Sequence, residues 1–128
     1  MTLIEHATNR LSEVTIGAAI EVHRHLGPGL LESSYQACLD HELQLRGIVY
    51  DSQVALHLHY KGVRLSKGYI IDFLVEKALV VEIKSVDKLM PIHSAQLMTY
   101  MRLQGVSGGL LINFNVHLLP HGIKRMLL

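Results

Sequence analysis

Apolar residues along the first third of the chain recur at spacings of three and four, which is the spacing of an amphipathic helix. This pattern predicts two helices, one over residues 8–26 and a second from about residue 30 to residue 46. Between them lies the segment Gly27-Pro28-Gly29. Proline disfavours helix in the residue before it, and glycine adopts dihedral angles that other residues avoid. We therefore expect a tight turn between the two helices.

The pattern changes after Tyr50, where apolar and polar residues alternate with the period of two that is typical of a strand. Residues 54–60 are predicted to form this strand, and residues 69–75 and 79–85 two further strands of an antiparallel meander. The last two segments are almost continuously apolar, which is typical of central strands that are covered on both faces.

The remaining segments complete an α/β architecture. Residues 91–104 are predicted to form a third helix, because a proline suits its first turn and a glycine follows its end. Residues 109–114 and 122–127 are predicted to be the last two strands, the second of them at a sheet edge. The order ααβββαββ predicts one α/β domain over residues 1–128, with a mixed central β-sheet flanked by helices.

Composition narrows the class of protein. With 49% hydrophobic residues and a mean hydropathy of +0.27, the chain can form a core, which excludes intrinsic disorder. The formal net charge of +1 excludes a nucleic-acid binder that works through bulk positive charge.

The cysteine count and the apolar segments of the chain indicate in which compartment the protein resides and what it binds. The single cysteine excludes a disulfide-stabilised fold and a thiolate zinc site, so we expect a cytoplasmic protein. No stretch approaches the roughly 18 apolar residues of a membrane span, so we expect no membrane partner. The low charge and the apolar tail at residues 126–128 are compatible with a homodimer.

Charged residues interrupt the two central apolar strands. Asp72 lies between Ile70 and Leu74 on one strand face, and Glu82 and Lys84 share a face of the next strand. A carboxylate on a central strand costs several kcal/mol unless it is paired or bound to a cation. The three charged residues could satisfy one another as a buried ion triad. Alternatively, the two carboxylates could supply the hard oxygen ligands that Mg²⁺ or Mn²⁺ prefers.

Asp72 followed by Glu82-Ile83-Lys84 resembles the D…(D/E)-x-K signature of the PD-(D/E)xK nuclease superfamily. Ile71 stands where the superfamily name has proline. This resemblance implies a restriction-endonuclease-like core, in which a mixed sheet is flanked by helices. It also implies hydrolysis of phosphodiester bonds by a water molecule that a divalent metal activates.

Two further motifs narrow the resemblance. The segment Gly29-Leu30-Leu31-Glu32-Ser33-Ser34-Tyr35 matches the G-x-x-E-x-x-Y element of a small bacterial and archaeal branch, the GxxExxY family. Gln96 and Tyr100 resemble the Q-x-x-x-Y element of RecB-type exonucleases. The resemblance therefore extends over most of the chain, with its elements in the expected order.

The resemblance implies a role for each residue of the site. Glu32, Asp72 and Glu82, with the backbone carbonyl of Ile83 as a fourth ligand, would hold Mg²⁺ or Mn²⁺. Lys84 would position or activate the attacking water. Glu32 lies on the helix face that is predicted to point inward, although a glutamate at this place could also be satisfied by the amides of the first helical turn.

The expected function is a metal-dependent phosphodiesterase that acts on DNA, with Gln96 and Tyr100 orienting the active-site lysine or a phosphate. A non-catalytic nucleic-acid-binding or protein-assembly module, and a regulatory partner that acts through protein contacts, are the alternatives. Tyr50, Tyr60 and Tyr69 are too scattered in the sequence to predict base stacking.

Overall fold

Three helices, five strands and one short 3-10 turn follow one another in residues 2–128, which are the residues that the structure, a computed structural model, describes. Their order is the predicted one. The helices are α1 (Leu3–Leu26), α2 (Glu32–Leu45) and α3 (Pro91–Gln104), and the strands are β1 (Tyr50–Tyr60), β2 (Val63–Val75), β3 (Leu79–Lys84), β4 (Gly108–Asn113) and β5 (Ile123–Leu127).

The strands form one sheet in the order β1-β2-β3-β4-β5. Neighbouring strands are antiparallel except β3 and β4, which run parallel. A parallel pair needs a long crossover connection, and α3 lies in that connection. Helices α1 and α2 pack on one face of the sheet and α3 packs on the other, so the predicted mixed sheet flanked by helices is confirmed.

Each face of the sheet has its own hydrophobic core. Tyr35 and Leu39 of α2 are fully buried in one cluster with Phe73 of β2. Leu97 of α3 is fully buried on the other face in a cluster with Leu111 of β4. Burying one such apolar side chain contributes roughly 1.5–3 kcal/mol. The two cores therefore hold both helical layers firmly against the central strands.

Helix α1 begins at Leu3, earlier than the predicted start at residue 8. Thr2 caps this helix. The Thr2 hydroxyl accepts a hydrogen bond from the Glu5 amide at 3.1 Å, and the Glu5 carboxylate accepts one from the Thr2 amide at 2.9 Å. This capping box satisfies amides that a helix start leaves without partners, and it extends the helix beyond its apolar stripe. None of the helices in residues 2–128 has the length and apolar character needed to cross a lipid bilayer.

Strand β2 begins at Val63 instead of residue 69, so β1 and β2 form a long hairpin. Lys61 and Gly62 make its turn with φ angles of 49° and 82°, the left-handed conformation of a two-residue hairpin turn. The prediction missed the first half of β2 because two extra residues, Lys67 and Gly68, interrupt its pairing with β1. Such a bulge breaks the period of two by which a strand is predicted.

Candidate active site

Strands β2 and β3 separate at one point, and two carboxylates lie there. The antiparallel pairing between these strands ends at Phe73 and Val81. Beyond this pair, the Asp72 amide donates to Oε2 of Glu82 at 2.8 Å, and the Ile83 amide donates to Oδ2 of Asp72 at 2.8 Å. Side-chain oxygens thus take the place of backbone carbonyls in the sheet. We call Asp72, Glu82 and Ile83 the fork.

The fork coincides with an irregularity in β2. A regular strand would place Ile71 and Leu74 on opposite faces, yet both belong to the cluster under α3. Ile70 was predicted to share a face with Asp72 and Leu74, but its neighbour Ile71 packs on the face of Leu74, so Ile70 lies on the opposite face and that part of the prediction was wrong. On the neighbouring strand, Gln53 has a left-handed φ of 51° and does not pair with Asp72. Because both strands are irregular here, the Asp72 side chain does not follow the regular alternation between the two faces of the sheet.

Burial and mutual repulsion make both acids of the fork hard to ionise. Burial, and after it the charge of the neighbouring Asp72, raise the pKa of Glu82 to about 8. Burial also raises the pKa of Asp72 to about 6, against the lowering effect of the Ile83 amide, and the charge of Glu32 adds to the increase. Lys84 acts in the opposite direction on both carboxyls. Near neutral pH the pair of carboxyls therefore tends to carry one proton.

Lys84 begins a chain of polar side chains on the α3 side of the sheet. Its Nζ donates to Oε1 of Gln96 at 3.1 Å, and Nε2 of Gln96 donates to the hydroxyl of Tyr100 at 3.2 Å. The ion pairs within residues 2–128 do not include Lys84, so the alternative of a buried ion triad with Asp72 and Glu82 is not formed. The ammonium group is held instead by a neutral amide near the acids.

The G-x-x-E-x-x-Y segment places the start of α2 beside the fork. Tyr35 is fully buried, stacks on Phe114 with ring centroids 4.6 Å apart, and donates its hydroxyl proton to the carbonyl of Gly27 at 2.6 Å. The same hydroxyl accepts the Leu30 amide at 3.2 Å. Gly29 has a φ of 99°, which favours glycine. The motif thus ties the loop before α2 to the helix that follows it.

Glu32 is exposed, whereas its helix face was predicted to point inward. It is the first residue of α2, and a helical Cα–Cβ bond tilts toward the helix N-terminus, so this side chain projects toward the loop end of the helix. Together with Asp72 it lines a cleft of about 230 Å³, whose other lining residues are Ser33, Gln36 and Gln53. Among residues 2–128, no three acidic, histidine or cysteine side chains are placed to bind one metal ion.

The sequence model of the PD-(D/E)XK nuclease superfamily matches residues 9–126, which is most of the chain and includes the fork, Lys84 and the G-x-x-E-x-x-Y segment. The chain belongs to the PD-(D/E)XK nuclease superfamily. No curated protein and no solved structure matches it significantly. Nucleases of this superfamily act on nucleic acids and generally use divalent metals.

The donor set of this PD-(D/E)XK protein fits a small divalent cation. Mg²⁺ is commonly bound through one or two carboxylates and several waters, and Asp72 and Glu32 open onto the same cleft. The pKa values of Asp72 and Glu82 are raised first by burial and further by neighbouring carboxylates, whose repulsion a bound cation would offset. Because the amide and carbonyl of one strand residue project to the same side, the Ile83 carbonyl faces the gap that its amide enters.

Sequence reasoning missed two components of this PD-(D/E)XK site. Gln36 lines the cleft, and its Nε2 donates to the Asp72 carbonyl at 3.4 Å. Its spacing of four from Glu32 on one helix was the available signal. Tyr69 lines a larger cavity next to Lys84. No local pattern marks this residue, because a bulge in β2 sets its direction.

Proposed function

We propose that the protein is a divalent-metal-dependent nuclease that hydrolyses phosphodiester bonds of DNA. The observation that carries this proposal is the fork: two acids with raised pKa values lie next to a lysine that is held by a neutral amide. Perturbed acids in a cleft beside a positioned cation are typical of catalytic sites. Superfamily membership supports the same reaction class.

In the proposed site, Glu32, Asp72, Glu82 and the carbonyl of Ile83 come together around Mg²⁺ or Mn²⁺ when the ion binds, since the three acids are not already placed to bind one ion. When bound, such an ion neutralises charge on the phosphate and makes a water molecule more acidic. The protein's own part is to hold the carboxylates in place. The Asp72 and Ile83 amides each fix one oxygen of the acid opposite, which leaves the second oxygen of each carboxylate available to a cation.

Lys84 is proposed to hold the attacking water and to offset negative charge that develops on the phosphate. Gln96 and Tyr100 act through it as positioning residues. The Gln96 carbonyl oxygen accepts from Lys84, and the Gln96 amide group is fixed by the Tyr100 oxygen. Burial raises the pKa of the Tyr100 phenol, so this group stays neutral over the working pH range.

The finer assignment to the GxxExxY family and the RecB-like branch is part of this proposal. It is supported by the contacts of Tyr35 with Gly27 and Leu30 and by the hydrogen bond between Gln96 and Tyr100. We further propose a cytoplasmic location, in keeping with the single cysteine of the chain. A homodimer is proposed from the exposed C-terminal leucines.

Lys84→Met tests the catalytic assignment because it keeps the apolar stem and removes the ammonium group. The variant should fold and still be stabilised by Mn²⁺, yet cleave DNA about two orders of magnitude more slowly than the parent. Lys88→Met, in an exposed lysine, is the matched control and should cleave normally. A Lys84→Met variant that cuts at the parental rate would refute the assignment.

A second candidate is a non-catalytic nucleic-acid-binding or protein-assembly module. The geometry of the fork favours it, because each carboxylate accepts a hydrogen bond from a backbone amide of the neighbouring strand. The two acids thereby bridge β2 and β3, which is a structural role. This candidate predicts that the parent protein cleaves neither DNA nor RNA with Mg²⁺ or Mn²⁺, and that millimolar Mn²⁺ leaves its melting temperature unchanged. Cleavage that disappears in Asp72→Asn would exclude it.

A further inference from the structure

A cavity of about 530 Å³ lies beside the candidate site, between α3 and the β1–β2 hairpin. Its volume is within the range of roughly 300–1,000 Å³ that is typical of pockets for small organic ligands. Three members of the proposed site form part of its wall, namely Lys84, Gln96 and Tyr100. The rest of the lining is mostly apolar and comprises Leu58, Tyr69, Ile92, His93, Ala95, Thr99 and Leu103.

Tyr69 is the more exposed of the two tyrosines that line the cavity. The residue is 43% exposed, whereas Tyr100 is 7% exposed. The two rings meet edge to face, with centroids 6.3 Å apart and planes at 64°. Tyr100 therefore braces the ring of Tyr69, while part of Tyr69 is left for a ligand. Ile92, which is 69% exposed, adds apolar surface at the same cavity.

The bulge in β2 explains why Tyr69 lines the cavity. Leu56 pairs with Tyr69, but the next residue of β1, His57, pairs with Ser66. The residue before Tyr69 is Gly68, whose left-handed φ of 78° a larger residue would adopt only with strain. Bulges bend a strand and re-aim the side chain next to them. Tyr69 is thus the first residue of β2 after the bulge to pair with β1.

We propose that this cavity binds an unpaired nucleobase of the nucleic-acid substrate, with its face against Tyr69. The inference rests on the proposed nuclease function, because a phosphate beside Lys84 places the adjacent nucleoside at the part of the cavity that Lys84 lines. A base within a duplex is stacked and paired, so it reaches a concave pocket only by leaving the stack. The substrate class is therefore single-stranded DNA, or duplex DNA with unpaired nucleotides at the cleavage site.

The charge of the protein favours the same conclusion. With a formal net charge of +1 and acids in the fork, the protein gains little affinity from general attraction to phosphates. Stacking of bases on aromatic side chains is a source of affinity that tolerates any sequence and depends less on phosphate contacts. A protein with this charge balance is expected to rely on base contacts for part of its binding.

Binding of fluorescent oligonucleotides in Ca²⁺ tests the proposal without cleavage. The probes are a short oligo(dA), the same length of abasic backbone, and the oligo(dA) annealed to its complement. The parent should bind oligo(dA) at least 10-fold more tightly than the abasic strand and more tightly than the duplex. Tyr69→Ala should weaken oligo(dA) binding by about 10-fold and leave abasic binding unchanged.

Two variants control for loss of a tyrosine as such. Tyr60→Ala removes an exposed tyrosine of the hairpin that does not line the cavity, and it should bind like the parent. Tyr69→Phe keeps the ring and should bind oligo(dA) as tightly as the parent does. Equal affinity for oligo(dA) and the abasic strand, or a Tyr69→Ala variant that binds like Tyr60→Ala, would overturn the proposal. A Tyr69→Ala variant that changes self-association instead of oligonucleotide binding would also overturn it, in favour of a protein contact.

These results separate the cavity from the catalytic proposal. A protein that binds oligo(dA) through Tyr69 but cleaves no nucleic acid would refute the nuclease function and leave the base pocket standing. A protein that cleaves duplex DNA by way of Lys84 and is indifferent to Tyr69 would refute the pocket alone.

Discussion

The Glu82→Gln variant measures how much stability the protein loses when the buried Glu82 carboxyl ionises. The pKa of Glu82 is raised from 4.5 to about 8 by burial and by the charge of Asp72. Because the folded-state value lies above the unfolded one, the stabilising contribution is complete below about pH 4.5 and is lost as the pH rises through about 8. The parent protein should therefore be less stable at about pH 9 than at about pH 5.

The size of this loss follows from the linkage between pKa and stability. One pKa unit corresponds to about 1.4 kcal/mol, so the increase for Glu82 alone corresponds to on the order of 5 kcal/mol. Repulsion between Asp72 and Glu82 enters the pKa values of both groups and is counted once. Assigning this repulsion to Glu82, we expect a loss of about 4 kcal/mol between pH 5 and pH 9, since the first part of the roughly 5 kcal/mol is already lost at pH 5. Glutamine keeps an oxygen for the Asp72 amide, so Glu82→Gln should abolish most of the loss.

Urea denaturation of the parent and Glu82→Gln at several pH values measures the effect. The titrating groups outside the fork, including nine histidines, are common to both proteins and cancel in the difference, whereas the pKa of Asp72 changes together with Glu82. Glu13→Gln, in an exposed glutamate, is the matched control and should follow the parent. Millimolar Mg²⁺ at pH 9 should stabilise the parent and affect Glu82→Gln far less. If both proteins lose the same stability from pH 5 to pH 9, Glu82 is not an acid of raised pKa and the reasoning fails.

Three further predictions concern the metal, the loop before α2 and the partner. Millimolar Mn²⁺ should raise the melting temperature of the parent by several degrees but not that of Asp72→Asn, and thermal shift measures both. Tyr35→Phe keeps the stacking on Phe114 but loses two hydrogen bonds, so chemical denaturation should show a loss of about 1–3 kcal/mol, with Tyr60→Phe near zero as control. The logarithm of DNA affinity against the logarithm of salt concentration should have a slope that reports about two to four phosphates, and a much steeper slope would contradict a site of nearly neutral charge.

The architecture was predictable because its signals are local. Continuous apolar runs marked the central strands, and proline and glycine marked the ends of α3, so the order of elements and the mixed sheet followed. The capping box of Thr2 and Glu5 also lies in the sequence, but it extends α1 through residues outside the apolar stripe. The length of β2 was not predictable from alternation, since Lys67 and Gly68 shift the period.

The sequence marks Asp72 and Glu82 as candidates for the site, but it shows neither how they meet nor that Gln36 lies beside them. Asp72 and Glu82 stood out because carboxylates are rare in apolar strands. Each carboxylate accepts a hydrogen bond from a backbone amide of β2 or β3, which requires these two strands to separate. The separation coincides with the left-handed φ of Gln53 on β1, so it depends on three strands and cannot be read from one. The exposure of Glu32 likewise follows from its place at the helix start and not from its helical face.

The energetics of the fork favour a functional site over a purely structural one. A bridge between β2 and β3 could be built with neutral side chains, since asparagine or glutamine oxygens accept amide protons as well. Two carboxyls at this place lower stability once they ionise, and the nearest cation, Lys84, bonds to Gln96 and not to either of them. Even a buried ion pair can often be exchanged for well-packed apolar residues with no loss of stability, so stability alone does not require charge at this place. These energetics are the physical argument for the proposed metal site, and the dependence of stability on pH and Mg²⁺ is its direct test.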